Sequence, residues 1–164
     1  MNSYIAFLEK LDAKLDFYFK KYSKHIYCKK GCSLCCEKGD YPLSDIELKY
    51  LMQGYINLDN DSKIQIQKNI KEMKKGEKCP FLIEKECSVY PYRPIICRVH
   101  GLAYLNNDNL AKLPYCVNNK LNYYEVFNKK ELLLEPIKEN LDTQNLLKEF
   151  DYGEIKNLYD WINS

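Results

Sequence analysis

The sequence predicts a mainly α fold, a helical domain arranged around a cysteine-rich region of loops and small hairpins. Three observations predict it. Apolar residues recur at helical spacing towards both ends of the chain. Ser44 and Glu47 form a capping box that opens a further helix. Between residues 77 and 116, prolines at 80, 91, 94 and 114 and a glycine at 101 interrupt any long element.

The spacing predicts a first helix over residues 3–24. Leu8, Leu11, Leu15, Tyr18 and Tyr22 alternate at three and four residues, Ile5 and Phe19 widen the stripe, and Lys10, Lys14, Lys20, Lys21 and Lys24 sit mostly opposite. Acidic residues mixed into the polar face weaken a membrane-surface reading. Leu43 and Leu48 can staple the capped helix, which is expected over about 45–56. The next helix, about 60–75, starts in Asp59–Ser62, carries Ile66, Ile70 and Met73, and is expected to end at Gly76.

Short hairpins are expected from Phe81-Leu82-Ile83 through Glu84-Lys85-Glu86 to Cys87–Tyr90, and across Leu102–Leu113 with an Asn-rich turn. Beyond Cys116 the chain returns to helix. Residues 129–135 are helical in composition, Pro136 kinks or restarts that helix, and Leu141, Leu146, Leu147 and Phe150 continue an apolar face. A last short helix is expected over 151–163, with Ile155, Leu158, Tyr159 and Ile162 inward. The whole of 1–164 reads as a single domain, its cysteine core at about 26–117 and its flanking helices at 3–24 and 129–163.

A net charge of +2 gives no electrostatic case for nucleic acid or an anionic membrane. No apolar run approaches the roughly 18 residues of a membrane span. The first residues lack the basic start and unbroken apolar segment of a secretory signal, so a cytoplasmic location is expected. Thiols there stay reduced, and clustered ones more often bind metal or catalyse than form disulfides.

The chain has eight cysteines: Cys28, Cys32, Cys35, Cys36, Cys79, Cys87, Cys97 and Cys116. The first four fall in Cys28-x3-Cys32-x2-Cys35-Cys36, with Gly31 able to take the positive φ of a tight loop. Thiolates are soft donors that select zinc, copper(I) or iron–sulfur clusters, and four complete one tetrahedral site or hold one cluster. Buried packing accounts for one or two cysteines, not for four in nine residues. All eight are therefore candidate metal ligands. Adjacent side chains diverge, so Cys35 and Cys36 serve two metals or different atoms of one polynuclear centre. The eight divide as four plus four, or as one four-thiol cluster plus accessory thiols.

His100, three residues after Cys97, is a further candidate ligand or else a hydrogen-bonding residue; His25 belongs to the end of the first helix. Arg93 and Arg98 flank Cys97 and are the candidate cofactor-binding cations. They either offset thiolate charge or make surface ion pairs. Pro94 is expected to aim Cys97, and Tyr90 and Tyr92 to pack.

The set Cys28-x3-Cys32-x2-Cys35-Cys36, Cys79-Pro80-Phe81-Leu82, Cys87-Ser88-Val89-Tyr90, Arg93-Pro94 and Cys97-Arg98 resembles the YkgJ-type cysteine-cluster family, over roughly residues 26–117. The resemblance implies zinc or iron chelation. A related cysteine pattern in flagellin lysine methylases, which are larger, is associated with an iron–sulfur cluster, and tips the expected cofactor from zinc to iron–sulfur.

Three functions are compatible with these residues. One is a protein whose metal holds residues 77–116 in place. Another is a cluster-assisted enzyme, such as a protein lysine methyl transferase. The last is a metal storage or delivery protein. Neither a nucleotide-binding glycine motif nor a Ser-His-Asp set or His-Glu-x-x-His is present. The expected partners are metal ions, with an unidentified protein partner left open.

Overall fold

The computed structural model describes residues 1–28, 31–39, 41–125 and 136–164. In chain order its helices are α1 (Asn2–Lys21), α2 (Leu34–Glu37), α3 (Asp45–Ile56), α4 (Asn60–Glu72), α5 (Ile95–Val99), α6 (Thr143–Leu146) and α7 (Leu158–Ile162). The strands are β1 (Pro42–Ser44), β2 (Leu82–Ile83), β3 (Glu86–Cys87), β4 (Tyr104–Leu105), β5 (Ala111–Lys112) and β6 (Ile155–Asn157). They pair into three two-stranded antiparallel sheets, β1–β6, β2–β3 and β4–β5. The chain divides into two compact units, Met1–Cys28 with Arg98–Phe150 and Lys29–Cys97 with Asp151–Ser164. Among the described residues, no helix is long and apolar enough to cross a membrane.

In the first unit, α1 buries Tyr4, Leu8, Leu11 and Leu15, a three-and-four stripe that begins one turn earlier than the leucines alone suggest. Each such fully buried side chain stabilises by about 1.5–3 kcal/mol. Phe7 and Phe150 meet edge to face, their centroids 5.1 Å apart. The hairpin β4–β5 turns through Asn106–Asn109, where Asn106 Oδ1 accepts from the N–H groups of Asp108 and Leu110. This is the Asn-rich turn expected from the sequence. Ile137 adds a parallel bridge to Tyr104. Leu141 and Leu147 are buried at the two ends of α6. The helix expected over 129–135 lies outside the described residues.

In the second unit, the capping box forms as written: Ser44 and Glu47 satisfy each other's backbone at the start of α3. Asp59 caps α4 by accepting from Ser62 N–H at 2.8 Å. Helix α4 ends at Glu72 rather than at Gly76. Met73 turns extended while its N–H bonds Ile70 C=O, and the chain leaves towards Cys79. The hairpin β2–β3 turns in two residues, Glu84 and Lys85, both at positive φ. That geometry matches the twist of paired strands, so Glu86 joins the strand. The expected helix over 151–163 is a strand followed by a shorter helix. Gly153 at φ +69° breaks the helical path, and Ile155–Asn157 pair with Pro42–Ser44 before α7 begins. Ladder bonds to a partner strand outweigh local helical spacing here. The core of this unit is Leu43, Leu51, Ile66, Phe81, Val89 and Leu158, with Cys79 and Cys87 packed against it.

Candidate metal centre

Five of the eight cysteines gather in the second unit. Cys35 and Cys36 ride on the single turn of α2, where Ser33 Oγ donates to Glu37 Oε1 at 2.6 Å. Their sulfurs stand 4.0 Å apart. The Cys79 N–H donates to Cys36 C=O at 2.8 Å, which brings the loop after α4 onto this turn. Cys87 lies on β3 opposite Leu82, and Cys97 lies on α5, where its N–H donates to Pro94 C=O at 3.0 Å. Pro94 thus opens the turn that carries Cys97.

These thiols are close enough to feel one another's charge. Cys97 feels Cys79, Cys87 and Cys35; Cys79 feels Cys87 and Cys35; Cys36 feels Cys35, Cys79 and Cys97. Burial pushes the Cys79 thiol up to about 12 and raises Cys97 well above the ordinary thiol range. The hydrogen bond with Cys35, then burial, raises Cys36. Burial also raises Cys87, partly offset by the Val89 N–H and the Arg93 charge. A group of soft donors that cannot ionise without a compensating cation has the chemistry of a metal site. As the side chains stand, no three or more His, Cys, Asp or Glu among the described residues converge closely enough to hold an ion. The sulfurs are gathered rather than closed into a cage. Cys32 is exposed on the loop at Gly31, whose φ is +83°.

The second unit also shows what surrounds these thiols. Arg93 lies over the exposed Tyr90 ring, its Cζ 3.7 Å from the centroid, and its charge reaches Cys87. Tyr92 packs against Gly54 and lies 5.1 Å from the Tyr50 ring, centroid to centroid. Glu47, fully buried, accepts from Ser44 N–H and Oγ at 2.7 Å each and from Ile95 N–H at 2.8 Å. The capping carboxylate therefore also holds the start of α5, two residues before Cys97. Sequence reading found the cap but not this second bond, because Ile95 lies 48 residues away.

Cys28 and Cys116 belong to the first unit, and their thiols share a hydrogen bond. Asn122, only 1% exposed, donates from Nδ2 to Cys28 Sγ at 3.0 Å and to Gly101 C=O at 3.2 Å. Its Oδ1 accepts from Tyr27 N–H at 2.7 Å. A Cβ on Gly101 would come within 2.9 Å of Cys28 Sγ, and φ there is +104°. The bond from Cys116, with that from Asn122, lowers Cys28 to about 6, against the opposing pull of burial. Cys116 moves the other way, raised by the Cys28 bond and by burial. Asn122 carries no sequence signal that separates it from its neighbours Asn118 and Asn119.

Arg98 is also in the first unit, buried, with Nη1 donating to Asp12 on α1. His25 closes the 3-10 turn after α1, and its ring stacks on Tyr123, centroids 6.1 Å apart. Burial holds the His100 imidazole below the usual histidine range.

One family model matches the chain over residues 27–131. It is CxxCxxCC, described as "Putative zinc- or iron-chelating domain". The match extends beyond the cysteines to residues after Asn122. Here the first interval, Cys28-x3-Cys32, is one residue longer than the family's name spells out. Neither the curated proteins nor the solved structures contain a match.

Proposed function

Because the chain belongs to the CxxCxxCC family, we propose that it is a metal-binding protein whose second unit holds an iron–sulfur cluster through Cys35, Cys79, Cys87 and Cys97. Cys36 is a fifth thiol facing the same centre. One observation carries this reading: the adjacent Cys35 and Cys36 both lie within electrostatic reach of Cys79 and Cys97. A single tetrahedral ion has four positions and takes two neighbouring side chains only with strain. A polynuclear centre offers metal atoms on more than one side.

When bound, the cluster supplies positive charge that offsets the cost of burying thiolates. The protein's own residues do the rest. Glu47 fixes the turn that presents Cys97, the β2–β3 hairpin presents Cys87, and Arg93 adds positive charge near Cys87. The Cys79–Cys36 backbone bond ties the loop after α4 to α2, so metal and fold support each other. The reducing cytoplasm is the compartment that keeps such thiols available.

Anaerobic purification with iron, sulfide and zinc analysis tests the reading. The expected result is bound iron with acid-labile sulfide and broad visible absorption, both lost in Cys79→Ser and Cys97→Ser. A colourless protein with stoichiometric zinc replaces the cluster by a zinc site on the same thiols. A preparation that takes up neither metal overturns the proposal.

A further inference from the structure

We propose that Asn69, on α4, is a positioning residue for the metal centre, holding fixed the turn that presents Cys79. The inference rests on the reading of Cys79 and Cys87 as ligands. Residues Cys79–Leu82 form a β-turn in which Leu82 N–H donates to Cys79 C=O at 3.1 Å, with Pro80 in second place. Such a turn bonds its first carbonyl and leaves its central peptide able to flip between two orientations. Asn69 removes that freedom. Its Nδ2 donates to Pro80 C=O, the carbonyl of the central peptide, at 2.9 Å, and to Leu82 C=O at 3.4 Å. Its Oδ1 accepts from Gln65 Nε2 at 2.9 Å, one helical turn back, which sets the amide's orientation.

The other groups of this turn are bonded by the segments that carry the cysteines. Cys79 N–H donates to Cys36 C=O at 2.8 Å. Phe81 C=O accepts from Ser88 N–H at 3.0 Å and from Ser88 Oγ at 2.9 Å, and Ser88 follows Cys87. Leu82 pairs with Cys87 across the β2–β3 hairpin. Every carbonyl from Cys79 to Leu82 therefore has a donor, and Asn69 joins this frame to α4, whose Ile66 is fully buried in the core. Without Asn69 the Pro80 carbonyl loses its partner and the central peptide regains its second orientation. The Cys79 sulfur then spends less time where a metal would find it.

The test compares Asn69→Ala and Asn69→Asp with Asp59→Ala, each in the full chain purified anaerobically. Both Asn69 variants remove the donor. Asp59→Ala removes the cap at the far end of the same helix and leaves the turn untouched. Bound metal is expected to pass to excess EDTA about 10–100-fold faster in the Asn69 variants, the scale on which losing an outer partner weakens a metal site. Asp59→Ala should stay near the parent rate. The visible absorption bands, of bound iron or of cobalt(II) put in place of zinc, should shift in the Asn69 variants alone. In metal-free protein, amide hydrogen exchange at Leu82 and Ser88 should quicken in the same two variants. Metal release from Asn69→Ala at the parent rate, or equally fast release from Asp59→Ala, overturns the proposal. Parent protein that takes up no metal sinks the metal reading, and exchange then decides the role of Asn69 in the turn. Quickened exchange at Leu82 and Ser88 upholds that role, and unchanged exchange overturns it.

Discussion

Asn122 Nδ2 stands 3.0 Å from the sulfur of Cys28, a residue 94 positions earlier in the chain. The same side chain accepts from Tyr27 N–H. Replacing it by alanine leaves a part-buried N–H and a sulfur without these partners. Asn122→Ala is expected to destabilise the protein by about 1–3 kcal/mol in urea titration. It also removes a donor that favours the Cys28 thiolate. In metal-free protein, alkylation of Cys28 should be half-maximal near its lowered value of about 6. The variant's midpoint should move up towards the about 8.5 of an ordinary thiol. A thiol lowered by folding stabilises the native state above its ordinary value, and that contribution is lost as pH falls through about 6.

Gly101 tests the same neighbourhood by volume. Alanine there would place a Cβ 2.9 Å from Cys28 Sγ at a φ of +104°. Gly101→Ala is expected to cost about 1–3 kcal/mol from backbone strain alone, read as a lower denaturant midpoint. The Cys28 labelling rate should change with it.

The partly buried Cys79 thiol sets an alkaline limit. Its value is raised by folding to about 12, so the native state holds that proton more tightly than the unfolded chain does. The stabilisation is fully present below about 8.5 and is lost as pH rises through about 12. Metal-free protein should therefore melt at progressively lower temperature across that window. Metal uptake runs the other way: protons compete for the thiolates, so affinity should weaken as pH falls.

Glu47→Gln keeps the shape but turns an amide donor towards groups that donate. Ser44 N–H, Ser44 Oγ and Ile95 N–H share its two oxygens. A loss of about 1–3 kcal/mol is expected in chemical unfolding. Glu47 also raises the Cys97 value through its charge. The variant's Cys97 should therefore ionise more readily in metal-free protein, measured by thiol absorbance against pH.

Metal removal is the broadest test. Structural zinc contributes about 10–16 kcal/mol to small peptides that fold around it. If thiolates in the second unit hold a metal, chelation should lower the melting temperature sharply and expose the β2–β3 hairpin to protease. Unchanged melting after complete metal loss would contradict that role.

Local signals survived the passage from sequence to structure. The α1 stripe, the Ser44–Glu47 cap, the start of α4 and both hairpins rest on spacing and on bonds within a few residues, so they are readable along the chain. The grouping of Cys35 and Cys36 with Cys79, Cys87 and Cys97 was not readable, because it depends on where loops separated by tens of residues are carried. Cys28 was counted with its sequence neighbours, yet its contacts run to Cys116 and Asn122. Residues 155–157 looked helical until Pro42–Ser44 offered them a strand to pair with. Periodicity and caps are properties of a segment, whereas a sulfur's neighbours and a strand's partner exist only once distant backbone has been brought alongside.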